Sequence, residues 1–152
     1  MRIFVVLHVL SMFVAVALSG GIDILLLRIA RTGDVRAIRT AFGVRARFDG
    51  LIPAVFGSGL LFGLTAIFVE GFNPFQPWLL LAYPLFALGI LVGALGIGRW
   101  ASRIQAASAE APDSGSPALT AALDDSNVRI ALGLFWLLIA SIVFVMVMKP
   151  LS

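Results

Sequence analysis

The sequence predicts an all-α membrane protein, a bundle of four transmembrane helices, and three observations predict it. The first is composition: 61% of the 152 residues are hydrophobic and 12% are charged, against about 45–50% and about 25% in soluble domains. The second is segmentation. The apolar residues gather into four runs, 3–27, 51–69, 78–98 and 130–148, whose only formal charge is Asp23. Each run has at least 19 residues, and roughly 20 helical residues cross the hydrocarbon core. The third is the pattern inside the runs. They lack the apolar–polar alternation of barrel strands, which leaves helix as the way to satisfy a backbone in lipid.

Arginine placement sets the orientation. The connection 28–50 carries Arg28, Arg31, Arg36, Arg39, Arg45 and Arg47, and the connection 99–129 adds Arg99, Arg103 and Arg129. The short connection Glu70–Pro77 has none, and only Arg2 and Lys149 lie near the termini. Positive-inside logic places loops 28–50 and 99–129 in the cytoplasm and both termini outside. The net charge of +3 is thus a topology signal rather than a nucleic-acid footprint, and the Arg28–Arg47 loop is expected to meet anionic lipid headgroups.

In the first helix, Arg2 and the apolar run up to Ala17-Leu18-Ser19 imitate a cleavable signal. The run continues through Leu25–Leu27, so a retained helix is expected. His8, Ser11, Met12, Ser19 and Asp23 fall within about a third of its circumference, a stripe that should face the bundle interior. His8 and Asp23 lie about 22 Å apart along the axis and cannot share a site. Beyond this helix, Asp34 can cap a short surface helix through Phe42, with Val35, Ile38 and Phe42 on one side; a solvated basic loop is the alternative.

The second and third helices carry Gly59-xxx-Gly63 and Gly89-xxx-Gly93, small-residue patterns that let helices approach closely. They suit packing within the chain, or against a second copy or a partner subunit. Within the following connection, Gln105–Asn127, the stretch 106–117 is small, polar and turn-rich and reads as a flexible linker. Ser116-Pro117 can start a short helix through Leu123, and the Asp124-Asp125 pair can cap the fourth span. The two halves differ in loop length and charge, so no inverted repeat is read.

The chain has no cysteine and one histidine, which excludes disulfides, thiol chemistry and a multi-histidine zinc site. It has no phosphate-binding glycine loop and no catalytic carboxylate pair, which argues against an enzyme. His8 is the chief ligand candidate. With Met12 and Met146 it makes a soft set of the kind Cu(I) prefers, and a lone histidine can also ligate haem iron. Tyr83 starts five residues into its helix, as His8 does, and is a possible neighbour. The plainer reading is that His8 bonds Tyr83 or a backbone carbonyl while the methionines fill gaps. Asp23 is expected to pair with Arg99, Arg103 or Arg129.

Leu7-His8-Val9-Leu10 followed by Gly20-Gly21 resembles the opening of the copper-resistance protein D-like membrane families. It is most similar to their small four-helix relatives, described only as predicted integral membrane proteins. Those relatives continue with an arginine-rich loop and a second helix with a proline, as Ile52-Pro53-Ala54 has here. The resemblance implies the four-helix fold and a link to haem b or copper through His8. It departs where many relatives place a tryptophan before the glycine pair, which here reads Ala17-Leu18-Ser19, and the additional histidines of related families are missing.

Three functions are compatible with these residues. The leading one is a non-enzymatic accessory or scaffold subunit that packs against itself or a larger membrane complex. The second is a haem b- or Cu(I)-binding protein using His8. The third is a small transporter, a dimer with Asp23 or His8 lining a cavity. Ten arginines to one lysine suggest a GC-rich bacterial genome, hence a multi-pass protein of the bacterial inner membrane.

Overall fold

The computed structural model describes residues 2–150, and among them there are seven α-helices, one π-helical stretch and no strand. Four helical stretches are long and apolar enough to cross a membrane. The chain divides into two compact units, one holding the chain through Phe72 together with Ser108–Gly115, the other Asn73–Ala107 and the chain from Ser116 onward.

In the first unit α1 (Ile3–Ala30) packs along α3 (Leu51–Val69). Ala15, Ser19, Asp23, Leu26 and Ala30 recur every three or four positions on α1 and are all buried, one face of a 3.6-residue period. Large apolar side chains on the other faces, such as Phe13, Leu61 and Phe68, stay exposed, as lipid-facing residues do. Between these helices lies α2 (Val35–Arg47), started by Asp34, whose carboxylate accepts the N–H groups of Arg36 and Ala37. The cap falls where the sequence predicts it, and the helix runs further, to Arg47. Val35, Ile38 and Phe42 are buried, so protein covers the apolar face that the sequence offers to the membrane surface.

In the second unit α4 (Pro77–Leu91) opens on a proline and carries Pro84 in its interior, which withdraws one amide from the helical ladder. Val92–Gly98 then widens into a π-helix containing Gly93, Gly96 and Gly98. Both stretches pack on α7 (Asn127–Met148). The approach is closest at Gly96, where a Cβ would stand 2.7 Å from the Ala131 Cβ. At Gly93 a Cβ would touch the Phe135 ring at 3.6 Å.

The first residues of the stretch expected to be a flexible linker, 106–110, are helical. They continue a helix whose buried face starts before the linker: Trp100, Ile104 and Ser108, four apart, are each at most 2% exposed on α5 (Arg99–Glu110). A turn follows, and α6 (Pro117–Leu123) starts at Ser116, whose hydroxyl accepts the Leu119 N–H at 3.2 Å, as Ser-Pro predicts. Ile38, Phe42, Trp100 and Ile104 are the most completely buried large side chains, and none lies in an apolar run. Lipid solvates apolar groups as well as protein does, so close burial is concentrated where water would otherwise reach.

Candidate functional site

His8 stands on α1 at the level of Gly59 and Gly63 on α3. Its Nδ1 is 2.7 Å from the Gly59 carbonyl oxygen. A Cβ on Gly63 would lie 2.7 Å from that nitrogen, and one on Gly59 would lie 3.0 Å from the Met12 methyl carbon. The small-residue pattern of α3 is therefore a seat for His8 and Met12. A carbonyl accepts, so Nδ1 carries the proton in this bond and the neutral ring keeps Nε2 as its acceptor.

Toward the other end of α1, Ser19 and Asp23 are both buried, and the Ser19 hydroxyl donates to Asp23 at 3.5 Å. The Arg45 guanidinium of α2 acts on Asp23 through its charge, with no ion pair between them within 4.0 Å, and is itself paired with Asp49 at 2.5 Å. The Arg45 Nε is buried without a protein partner. Arg45 is a cation that sequence reasoning missed, because it lies 22 residues beyond Asp23 in a segment read as a surface element. Arg99, named for that role from the sequence, is exposed and belongs to the second unit, and Arg103 there bonds Asp125 at 2.6 Å.

The third cluster joins α2 to the turn after α5. Arg39 donates from Nε to the Ser108 carbonyl at 2.8 Å and from Nη2 to the Ala111 carbonyl at 2.6 Å. These are carbonyls of a helix end, which lack intrahelical donors. Arg36 grips the Asp113 carboxylate through Nε at 2.8 Å and Nη2 at 2.6 Å, with Arg39 Nη1 at 3.4 Å. The Arg36 hydrogen bond, helped by Arg39, holds the Asp113 carboxyl below the usual carboxylate range.

In the second unit the Tyr83 hydroxyl donates to the Pro74 carbonyl at 3.2 Å. Trp78 donates to Gln76 Oε1 at 2.7 Å, and the Lys149 ammonium lies 5.3 Å from the centre of its ring, a cation–π contact. Met146, half-buried on α7, also belongs to this unit. Among the sequence-predicted ligands, then, His8 and Met12 share one seam, while Tyr83 and Met146 belong to the other unit. Of the four glycines singled out, three face a side chain of a neighbouring helix, and a Cβ on Gly89 would meet nothing within 4 Å. No cluster of three or more histidine, cysteine or acidic residues suited to a metal ion occurs among the described residues.

Over residues 2–150 the chain matches the family model described as "Predicted integral membrane protein (DUF2269)". The chain belongs to that family. With four apolar helical stretches, this DUF2269 member is a multi-pass integral membrane protein whose exposed apolar faces contact the lipid bilayer. No curated protein and no solved structure matches it. The match places the chain among predicted integral membrane proteins and does not reach copper-resistance protein D.

Proposed function

We propose that this protein is a non-enzymatic accessory or scaffold subunit of the bacterial inner membrane, with its termini outside and its arginine-rich connections in the cytoplasm. The observation that carries this reading is the destination of its polar groups. His8 goes to the Gly59 carbonyl, Asp23 to Ser19, and Asp113 to Arg36 and Arg39. The His8 and Asp113 bonds hold one segment of the chain against another, and the Asp23 bond to Ser19 lies within α1. Small residues remain on outward faces: Gly21 on α1 and Gly133 on α7 are exposed, with nothing within 4 Å of a Cβ at either. Such positions allow a second helix, from another copy or a larger complex, to approach closely. The Arg28–Arg47 loop contributes contacts to anionic headgroups. Extraction of the tagged full chain in mild detergent, with chemical cross-linking beforehand, tests the proposal: a stable oligomer or heteromeric complex supports it, and a lone monomer rejects it.

A second reading, favoured by the His8 geometry, is a haem b- or Cu(I)-binding protein, as the resemblance to the copper-resistance families suggests. Ligating histidines commonly donate their other ring nitrogen to a backbone carbonyl, the arrangement His8 has with Gly59, and Met12 lies one turn away on the same seam. His8 and Met12 make a partial donor set for Cu(I) or a single axial ligand for haem. Protein purified from iron- and copper-replete cells settles it: a Soret band or stoichiometric copper, lost in His8→Ala, supports this reading, and absence of both rejects it.

A further inference from the structure

We propose that the arginines of the two basic connections divide into two sets of different function, and that Arg28, Arg31, Arg47, Arg99 and Arg129 are the ones that bind the phosphate groups of anionic lipids. This deepens the reading that the basic connections meet the cytoplasmic leaflet, and it rests on that reading. The sorting is visible in the bonding. Arg36 and Arg39 hold Asp113, Arg45 holds Asp49, and Arg103 holds Asp125. Arg28, Arg31, Arg47, Arg99 and Arg129 are all exposed, and among the described residues none of them meets a carboxylate within 4.0 Å.

The unpaired set is also sorted by position. Arg28 lies in the last turn of α1 and Arg31 caps it; Arg47 ends α2, just before α3 begins at Leu51. Arg99 follows the π-helical end of the third span, and Arg129 is in the first turn of α7. Every apolar run thus has an unpaired arginine at its basic end, where headgroup phosphates lie. The paired arginines Arg36, Arg39 and Arg103 sit further from those ends, on α2 and α5. Arg45 shares the last turn of α2 with Arg47 and is set apart by its bond to Asp49 and its low exposure. Helix dipoles account for part of the arrangement, since Arg28, Arg31 and Arg47 are at helix C-termini, where a cation is favoured. They do not account for Arg129, which stands at a helix N-terminus, where the dipole repels it. An external anion is what stabilises an exposed guanidinium there, and bidentate binding to phosphate suits its planar fork.

The test uses the full chain in a mixture of phosphatidylglycerol and phosphatidylcholine, with lipid retention read by native mass spectrometry. Three variants are compared with the wild type: Arg28→Gln/Arg31→Gln/Arg47→Gln, Arg99→Gln/Arg129→Gln, and Arg36→Gln/Arg39→Gln. The expected result is selective retention of phosphatidylglycerol by the wild type and by the third variant. The first two lose it by about fivefold per arginine removed, the equivalent of ~1 kcal/mol each. Lysine versions of the first two variants keep most of the retention, which separates loss of charge from loss of fold. Equal loss in all three glutamine variants overturns the division while leaving the headgroup reading intact. No preference for phosphatidylglycerol in the wild type overturns both. Displacement of the lipid by millimolar inorganic phosphate identifies a soluble-anion site and overturns the lipid assignment.

Discussion

His8 and Gly63 are joined by an absence: the missing Cβ of Gly63 leaves the space, 2.7 Å from the His8 Nδ1, in which the imidazole reaches the Gly59 carbonyl. Glycine and histidine are one device, since either alone leaves a void or a clash.

Gly63→Ala is therefore expected to displace the ring and break its bond to Gly59, destabilising the protein by about 1–3 kcal/mol as overpacking does. His8→Ala removes the bond without the clash and costs about 0.6–1.7 kcal/mol, the range of hydrogen bonds between membrane helices. The double variant His8→Ala/Gly63→Ala is more stable than the sum of the two predicts. Thermal unfolding in detergent, followed by circular dichroism, measures all three.

A parallel case stands in the second unit. Gly96→Ala brings two methyl groups to 2.7 Å across the π-helical stretch and α7, and a loss of about 1–3 kcal/mol is expected. Ala131→Gly in the same chain removes the opposing methyl and restores most of it. If Gly96→Ala melts like the wild type, the two backbones are not as close as described.

The Arg36–Asp113 pair is acid-sensitive in a defined direction. The Asp113 carboxyl is held below its ordinary value near 3.8, so its contribution is complete above that pH and is lost as the pH falls through the lowered value. Limited proteolysis by an acid-active protease should find the turn between α5 and α6 protected at pH 5 and cleavable well below 3.8. Asp113→Asn is cleavable at both. High salt has a smaller effect, because the Arg39 bonds to the Ser108 and Ala111 carbonyls persist.

Asp23 is bonded to Ser19 and Arg45 to Asp49, and the Arg45 charge also acts on Asp23. Arg45→Met withdraws both the charge that acts on Asp23 and the partner of Asp49, and is expected to cost about 1–3 kcal/mol. Asp23→Asn leaves Arg45 with Asp49 and costs less. Asp23→Leu/Arg45→Met removes both charges and recovers most of the stability. A thermal-melt series decides whether the cost order holds.

The spans, the Asp34 cap and the Ser116-Pro117 start were all legible, because each depends on residues within a few positions of one another. The backbone-carbonyl option for His8 was legible too, since a buried imidazole needs an acceptor and few exist in a span. Identifying Gly59 as that acceptor needed the register of α1 against α3, which no local pattern carries. Arg36 and Asp113 lie 77 residues apart and could not be matched from sequence. The π-helical stretch was hidden for another reason, as its three glycines read equally well as packing positions in a regular helix. For α5 a signal was present: Trp100, Ile104 and Ser108 at four-residue spacing mark a helical face that runs from the end of the third span into the stretch that composition assigns to a linker.

The placement of Ile38, Phe42, Trp100 and Ile104 outside the apolar runs divides the molecule by its response to solvent. Urea acts by solvating surface that unfolding brings into water, and the spans, already surrounded by lipid or detergent, have little such surface to offer. Denaturant should then melt the water-facing helical segments of each unit first, that of the second unit read by Trp100 fluorescence in a Trp78→Phe/Trp136→Phe background. The helicity of the four spans persists to much higher concentrations. A protein of this construction has two separable stabilities, one set by water and one by the hydrocarbon around it.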